Sequence, residues 1–321
     1  GISDSYSHGL LQSIGHCWEW ASKYCFGTSH EAGKVMGLAG FRAEINDFDK
    51  IIMSFTEDRE INIDYHALTE HFTDANLFGL DITQKSHFEE VAYLVQRDTE
   101  ATVLKLLAFL KVICPTDTVY FCGGVALNVL LNEKIIKSGL FDNVFLNGSV
   151  EDNGTAIGAA LSASLEMGVK RKSAPISDCY GRSYSEDQIL QAIASYEFSY
   201  QILDPSDMYR RIAEILCSGY VIGWFQGRSE FGPRALGNRS ILANPINPST
   251  KHMLDHFMKS RDRYRPYAPV VLQEDVHDFF DMKGTSPVMM RNAQVLDKRL
   301  ASITHADGSA RVQTVNIREN E

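Results

Sequence analysis

The stretch TVYFCGGVALNVLLNEKIIK, residues 118–137, followed by FDNVFLNGSVEDNGTAIGAALSASLEM, residues 141–167, decides the fold class. Thr118 to Cys122 is a short run rich in β-formers, Gly123-Gly124 breaks it, and Ala126 to Lys137 reads as a helix. The order then repeats. Asn143 to Leu146 reads as a strand, Ser149 to Gly154 as a turn carrying acids, and Thr155 to Met167 as a helix of small residues. Strand, turn and helix twice in succession predict α/β layers.

Upstream, a helix is predicted between Ser86 and Ile113, because Val91, Leu94, Val95, Val103, Leu106, Leu107 and Leu110 recur near helical spacing, with Pro115 to end it. Downstream, GVKRKSAPISD, residues 168–178, turns polar, with three cations and a proline, and reads as a linker. Two domains are therefore expected, residues 1–172 and 173–321. In the second, Glu186 to Tyr196 and Met208 to Ser218 read as helices and Gly219 to Phe225 as a buried strand. No internal repeat or low-complexity tract interrupts the pattern.

The length agrees with two domains, since 321 residues exceed what one core usually organises. With 44% hydrophobic and 22% charged residues and no apolar run of about 18, the chain is expected to have no membrane partner. Its 31 basic residues against 41 acids give a formal net charge of -10, which disfavours nucleic acid as a partner. The cysteines Cys17, Cys25, Cys114, Cys122, Cys179 and Cys217 are scattered without a CxxC pair. They predict reduced thiols and a cytoplasmic location rather than zinc ligation. A start at GISDSYSHGL and an end at TVNIRENE read as those of an internal piece of something longer.

Several segments carry residues suited to chemistry. In CGGVALN, residues 122–128, two glycines between strand and helix let a ligand approach the backbone, and the helix N-terminus offers amides to an anion; a tight packing turn is the alternative. Asp152 opens a helix, where it can cap or serve as a hard oxygen ligand. Glu31 and Lys34 in SHEAGKVMGLAG, residues 29–40, would share a helix face as an ion pair. Arg228, Arg234 and Arg239, set among Gly227, Gly232, Pro233 and Gly237 with Ser240 beside them, form a candidate oxyanion clamp; the alternative is a solvated or purely structural loop in which Glu230 holds one arginine in place. KSRDRYRPYAP, residues 259–269, concentrates Lys259, Arg261, Arg263 and Arg265, which suits a nucleotide or acyl-phosphate pocket in an acidic protein. THADGSARVQTV, residues 304–315, gathers His305, Asp307, Ser309, Arg311 and Gln313, or else makes a turn at Asp307-Gly308 and a strand after it.

Taken together, GKVMGLA, GGVALN, DNGTAIGAAL, GWFQGRSEFGPRALGNRSIL, the RPYAP segment and THADGSARVQTV resemble, in order and over nearly the whole chain, the O-carbamoyltransferases of nodulation-factor and antibiotic biosynthesis. The resemblance implies part of an actin/hexokinase-like (ASKHA) lobe, similar to the tRNA threonylcarbamoyl transferases, followed by a domain similar to threonylcarbamoyl-adenylate synthase. It implies that carbamoyl phosphate and ATP give carbamoyl-adenylate, which passes its carbamoyl group to the hydroxyl of a small natural product.

Carried over by motif, Gly123, Gly124 and Asn128 would contact the adenylate and Glu31 and Lys34 would lie near its ribose. Asp152 would ligate a divalent metal, iron or magnesium. Arg228, Arg234, Arg239, Ser240, Lys259, Arg261 and Arg265 would hold carbamoyl phosphate and the nucleotide phosphates. Arg263 stands where the family has a smaller or cyclic residue and is given no role. The HxxxH metal motif of the family's amino-terminal lobe and an asparagine-bearing segment near its carboxyl end are missing, which predicts that the chain alone does not complete the reaction. A nucleotide-binding module without turnover and carbamoyl-type transfer to tRNA are the competing readings, whereas the absence of GxxxxGK[ST] argues against P-loop hydrolysis.

Overall fold

The computed structural model describes residues 12–41, 51–66, 68, 85–170, 178–196, 198–259, 262 and 264–316, leaving aside the side chains of residues 85–87 and 259. The first half begins with helices α1 (Ile14–Phe26) and α2 (Ala32–Ala39) and the short strands β1 (Met53–Phe55) and β2 (Ile61–Ile63). The long helix α3 (Lys85–Ile113) follows, almost as its periodicity predicts, ending two residues before Pro115. Val91, Leu94 and Val95 on α3 are fully buried against Trp18, Ala21, Val35 and Leu38 of α1 and α2. Trp18 donates its indole N–H to Thr99 Oγ1 at 3.0 Å, which satisfies the one polar atom that ring brings into the core.

The segment that decides the fold class forms β3 (Thr118–Tyr120), a 3-10 turn (Gly124–Leu127), α4 (Val129–Lys137), β4 (Asn143–Phe145) and α5 (Asp152–Glu166). Strands β3 and β4 pair in parallel, Thr118 against Asn143 and Tyr120 against Phe145. Leu131 and Ile135 of α4 pack with Val103 and Leu107 of α3 beneath this pair. Helix α5 starts three residues earlier than its small-residue run predicts, so Asp152 lies inside it and not before it. No α5 residue is buried, and Tyr120 and Phe145 are 57% and 46% exposed.

The expected boundary at residue 172 lies outside the described residues. Beyond it come α6 (Glu186–Ala194), α7 (Pro205–Cys217), β5 (Ile222–Phe225), β6 (Arg239–Leu242) and the one-turn helix α8 (Thr250–Met253), which continues as a π-helical turn (Leu254–Lys259). Then follow β7 (Val270–Leu272), α9 (Val276–Phe279), β8 (Phe280–Asp281), β9 (Arg291–Val295) and β10 (Ser309–Val315). Strands β7, β10, β9 and β8 make a four-stranded sheet in that order, with β7 parallel to β10 and the other pairs antiparallel. The stretch read as a buried strand is half open instead: β5 pairs with β6 alone among the described strands, and Phe225 is 56% exposed.

The two halves share a core. Ala126 and Val150 from the first are buried with Val288 and Met290 from the second. Beside them Arg291 makes a bidentate pair with Glu133, Nε to Oε2 at 2.9 Å and Nη2 to Oε1 at 3.1 Å, both side chains buried. No described helix is long and apolar enough to cross a membrane.

Candidate active site

Parallel strands β3 and β4 both end at the same edge, and each is followed by a turn that opens a helix. In open α/β sheets that edge is where ligands bind, because backbone amides and helix N-termini face it. Gly123 has φ +98°, a conformation that favours glycine, and its N–H donates to Val150 O at 2.8 Å, joining the two turns. A Cβ built on Gly123 or Gly124 meets nothing within 4 Å, so the backbone here is open to a ligand.

Asn128 restarts the helix after the 3-10 turn. Its Oδ1 caps Leu131 N at 3.0 Å and also accepts from Gln96 Nε2, while its Nδ2 donates to Gln96 Oε1 at 2.8 Å. Buried and bonded at both ends of its amide, Asn128 shapes the turn from behind.

Asp152 is the first residue of α5, exposed, and makes no side-chain cap; Glu151 occupies the N-cap position. The capping alternative therefore falls. Among the described residues no three His, Cys, Asp or Glu side chains gather as metal ligands, so one carboxylate does not fit a metal ion and no chemical step is routed through one.

The arginine-rich loop between β5 and β6 is organised by Glu230, which does not pair with an arginine. Its Oε1 accepts from the backbone amides of Leu236 (2.7 Å), Asn238 (2.8 Å) and Arg239 (3.3 Å). Burial pushes this carboxyl up, but the amides outweigh burial and hold it below the usual glutamate range. Arg239 lies over the Phe225 ring, 3.5 Å from its centroid, and donates to Gln226 O (2.6 Å) and Gly227 O (3.2 Å). Arg228 donates to Gly181 O at 3.3 Å, and Ser240 Oγ accepts from Gly237 N at 3.0 Å. From the four-stranded sheet, Gln313 Nε2 donates to Leu236 O at 2.9 Å and so fixes the loop from below.

Arg234 separates from the other two arginines. It is buried, donates from Nη2 to Leu127 O at 3.2 Å and from Nη1 to Met290 Sδ, and so reaches the glycine turn of the other half. Burial pulls its guanidinium down to about 10, against the charges of Asp178 and Glu151, and it stays charged at neutral pH.

Asp178, which sequence reasoning did not single out, is the buried residue beside it. Ser149 Oγ donates to its Oδ1 at 3.0 Å, its carbonyl accepts from Phe231 N, and a Cβ at either Gly148 or Gly232 would collide with its carboxylate. Burial raises the Asp178 carboxyl and Glu230 adds to that, against the Ser149 bond and the Arg234 charge. The pairing of NG at 147–148 with FG at 231–232 was its one available signal, two glycines where the chain must pass close to something.

The remaining site residues form a third group where the halves meet. Lys34 pairs with Glu31 at 3.0 Å, as their spacing predicts, and also with Asp262 at 3.1 Å. The hydrogen bond to Glu31 outweighs partial burial, and with Asp262 it raises the lysine above its ordinary value. Tyr264 stacks on Phe26 with ring centroids 5.8 Å apart, and Gly37 passes under the Tyr264 carbonyl. Arg265 follows, its carbonyl accepting from Lys251 Nζ at 3.2 Å. Arg261 and the Lys259 side chain lie outside the described residues. Asp307 accepts from Ser309 N and Oγ at 3.0 and 2.6 Å and closes a turn before β10, which is the plainer of the two readings of that motif.

Residues 3–161 match the family model described as the carbamoyltransferase N-terminus and residues 213–321 the carbamoyltransferase C-terminus. The nodulation protein NolO of Bradyrhizobium diazoefficiens is 34% identical over 89% of this chain and 54% of its own length. NolNO of Sinorhizobium fredii is 36% identical over 76% of this chain and 37% of its own. The 3'-hydroxymethylcephem-O-carbamoyltransferase of Amycolatopsis lactamdurans is 31% identical over 89% and 53%. The chain thus spans about half the length of the curated relatives it matches.

Proposed function

This chain belongs to the carbamoyltransferase family, and from that premise we propose that it serves O-carbamoyl transfer to a hydroxyl of a small molecule by way of carbamoyl-adenylate. Carbamoyl phosphate and one water give carbamate and orthophosphate. Carbamate and ATP then give carbamoyl-adenylate and pyrophosphate, and the acceptor alcohol takes the carbamoyl group and releases AMP.

In this reading residues 1–172 are the ASKHA-like transfer module and residues 173–321 the adenylate-forming module. Gly123 and Gly124 take the adenylate, with Asn128 shaping their turn. Glu31 and Lys34 lie toward its ribose. Arg228, Arg239 and Ser240, with Lys259, Arg261 and Arg265, hold the phosphates. Glu230 fixes the arginine loop before any ligand arrives, so little reorganisation opposes binding of a developing phosphate anion.

The observation that carries the proposal is the paired arrangement itself: an open glycine turn at the carboxyl ends of two parallel strands, joined to an arginine loop held rigid by backbone bonds. The lone Asp152 carboxylate favours one competing reading, a nucleotide-binding module without turnover. Calorimetric titration with carbamoyl phosphate tests the phosphate half. Arg239→Ala should weaken binding more than tenfold, about 1.4 kcal/mol, the worth of one charge-assisted hydrogen bond. Equal affinity in the variant would remove the arginine loop from the site.

A further inference from the structure

We propose that Arg234 is a positioning residue for the glycine turn of the first module, supplied by the arginine loop of the second, so that loop and turn work as one site. This rests on the reading above that the Gly123-Gly124 turn takes an adenylate.

The grounds are geometric. Arg234 follows Gly232-Pro233 in a loop whose other arginines, Arg228 and Arg239, anchor to carbonyls near the loop itself. Its own guanidinium instead reaches Leu127 O, the carbonyl that ends the 3-10 turn opened by the glycines, and the sulfur of Met290. A buried guanidinium this far from water needs acceptors and a countercharge, and the structure supplies both. Asp178 and Glu151 provide the negative charge.

Asp178 is itself held between the halves, by Ser149 on the turn after β4 and by the backbone next to Gly232 on the arginine loop. Gly148 and Gly232 leave the space its carboxylate occupies. Asn132 completes the support, donating to Ala126 O at 2.8 Å and Met290 O at 2.9 Å. The turn after β3, the turn after β4 and the arginine loop are therefore fixed by one buried set of side chains. The loop thereby sets the position of the Leu127 carbonyl, and with it the amides that face the adenylate.

The test uses the full chain and two probes, AMP for the turn and carbamoyl phosphate for the loop, each titrated by calorimetry. Arg234→Ala should weaken AMP tenfold or more and leave carbamoyl phosphate within twofold; Arg239→Ala should do the reverse. Arg234→Lys, which keeps the charge and one donor, should recover at least part of the AMP affinity, a rescue that general loosening of the fold would not produce. Loss of carbamoyl phosphate with AMP retained would overturn the proposal and make Arg234 a direct phosphate ligand. Equal loss of both, with no rescue by lysine, would overturn it too.

Should Arg234→Ala not fold, Asp178→Asn should show the same split in smaller measure, and its absence would count against the proposal. If the wild-type chain does not bind AMP, the adenylate reading fails by itself. Hydrogen exchange at the amides of residues 128–131 then decides the positioning role, since Arg234→Lys should leave them protected and Asp178→Asn should speed their exchange. Unchanged exchange in Asp178→Asn would sink it.

Discussion

Removing the Glu133 carboxylate should destabilise the chain severely, because it leaves the Arg291 guanidinium buried without its counterion. Both side chains are under a tenth exposed, and two hydrogen bonds of 2.9 and 3.1 Å join them across the halves. Arg291 has one more acceptor, Lys283 O. A lone backbone carbonyl does not neutralise a buried cation, so Glu133→Ala should cost about 3–5 kcal/mol, the range for breaking a buried pair from one side. Against a stability of roughly 5–15 kcal/mol for a domain, that loss is large. Glu133→Leu combined with Arg291→Met removes both charges and keeps the volume, and should recover most of it. Urea unfolding followed by tryptophan fluorescence measures all three proteins. A cost below about 1 kcal/mol for Glu133→Ala, or a double variant as unstable as the single one, would refute the reasoning.

Asp178 predicts a pH dependence. Its folded carboxyl is raised by burial, so the stability linked to it is full below the ordinary aspartate range and is lost as pH rises through the raised value. As pH rises above the ordinary aspartate range, about 4, the wild type should therefore lose stability relative to Asp178→Asn, and a urea-midpoint difference that stays constant with rising pH would count against the assignment. Gly232→Ala should cost about 1–3 kcal/mol through the clash with the Asp178 carboxylate, read from the same unfolding curves; a neutral effect would mean that the carboxylate does not occupy that space.

Much of the fold could be read from the chain, because helices and parallel strands write their periods locally. The spacing of Val91, Leu94 and Val95 placed α3 within a residue of its observed limits, and the two strand-turn-helix units emerged with the right order. Boundaries set by tertiary contacts did not. Asn128 restarts α4 because its side chain caps Leu131 and pairs with Gln96, a partner 32 residues away. The run from Gly219 to Phe225 looked buried because its residues are apolar, yet β5 gains only one strand as a neighbour among those described. At the site, the Glu31–Lys34 pair follows from its spacing, whereas Arg234 looked equivalent to Arg228 and Arg239. Nothing in a glycine-rich loop records which arginine turns inward. That depends on Leu127, Met290 and Asp178, which lie far off in sequence and meet only when the halves pack together.

The most direct test of the central claim is pyrophosphate release by the purified chain supplied with ATP, measured with and without carbamoyl phosphate, alongside mass spectrometry for carbamoyl-adenylate. The account predicts pyrophosphate only when both substrates are present, accompanied by the adenylate, and loss of both signals in Arg239→Ala. Pyrophosphate that appears without carbamoyl phosphate, or ADP and orthophosphate in its place, would contradict it.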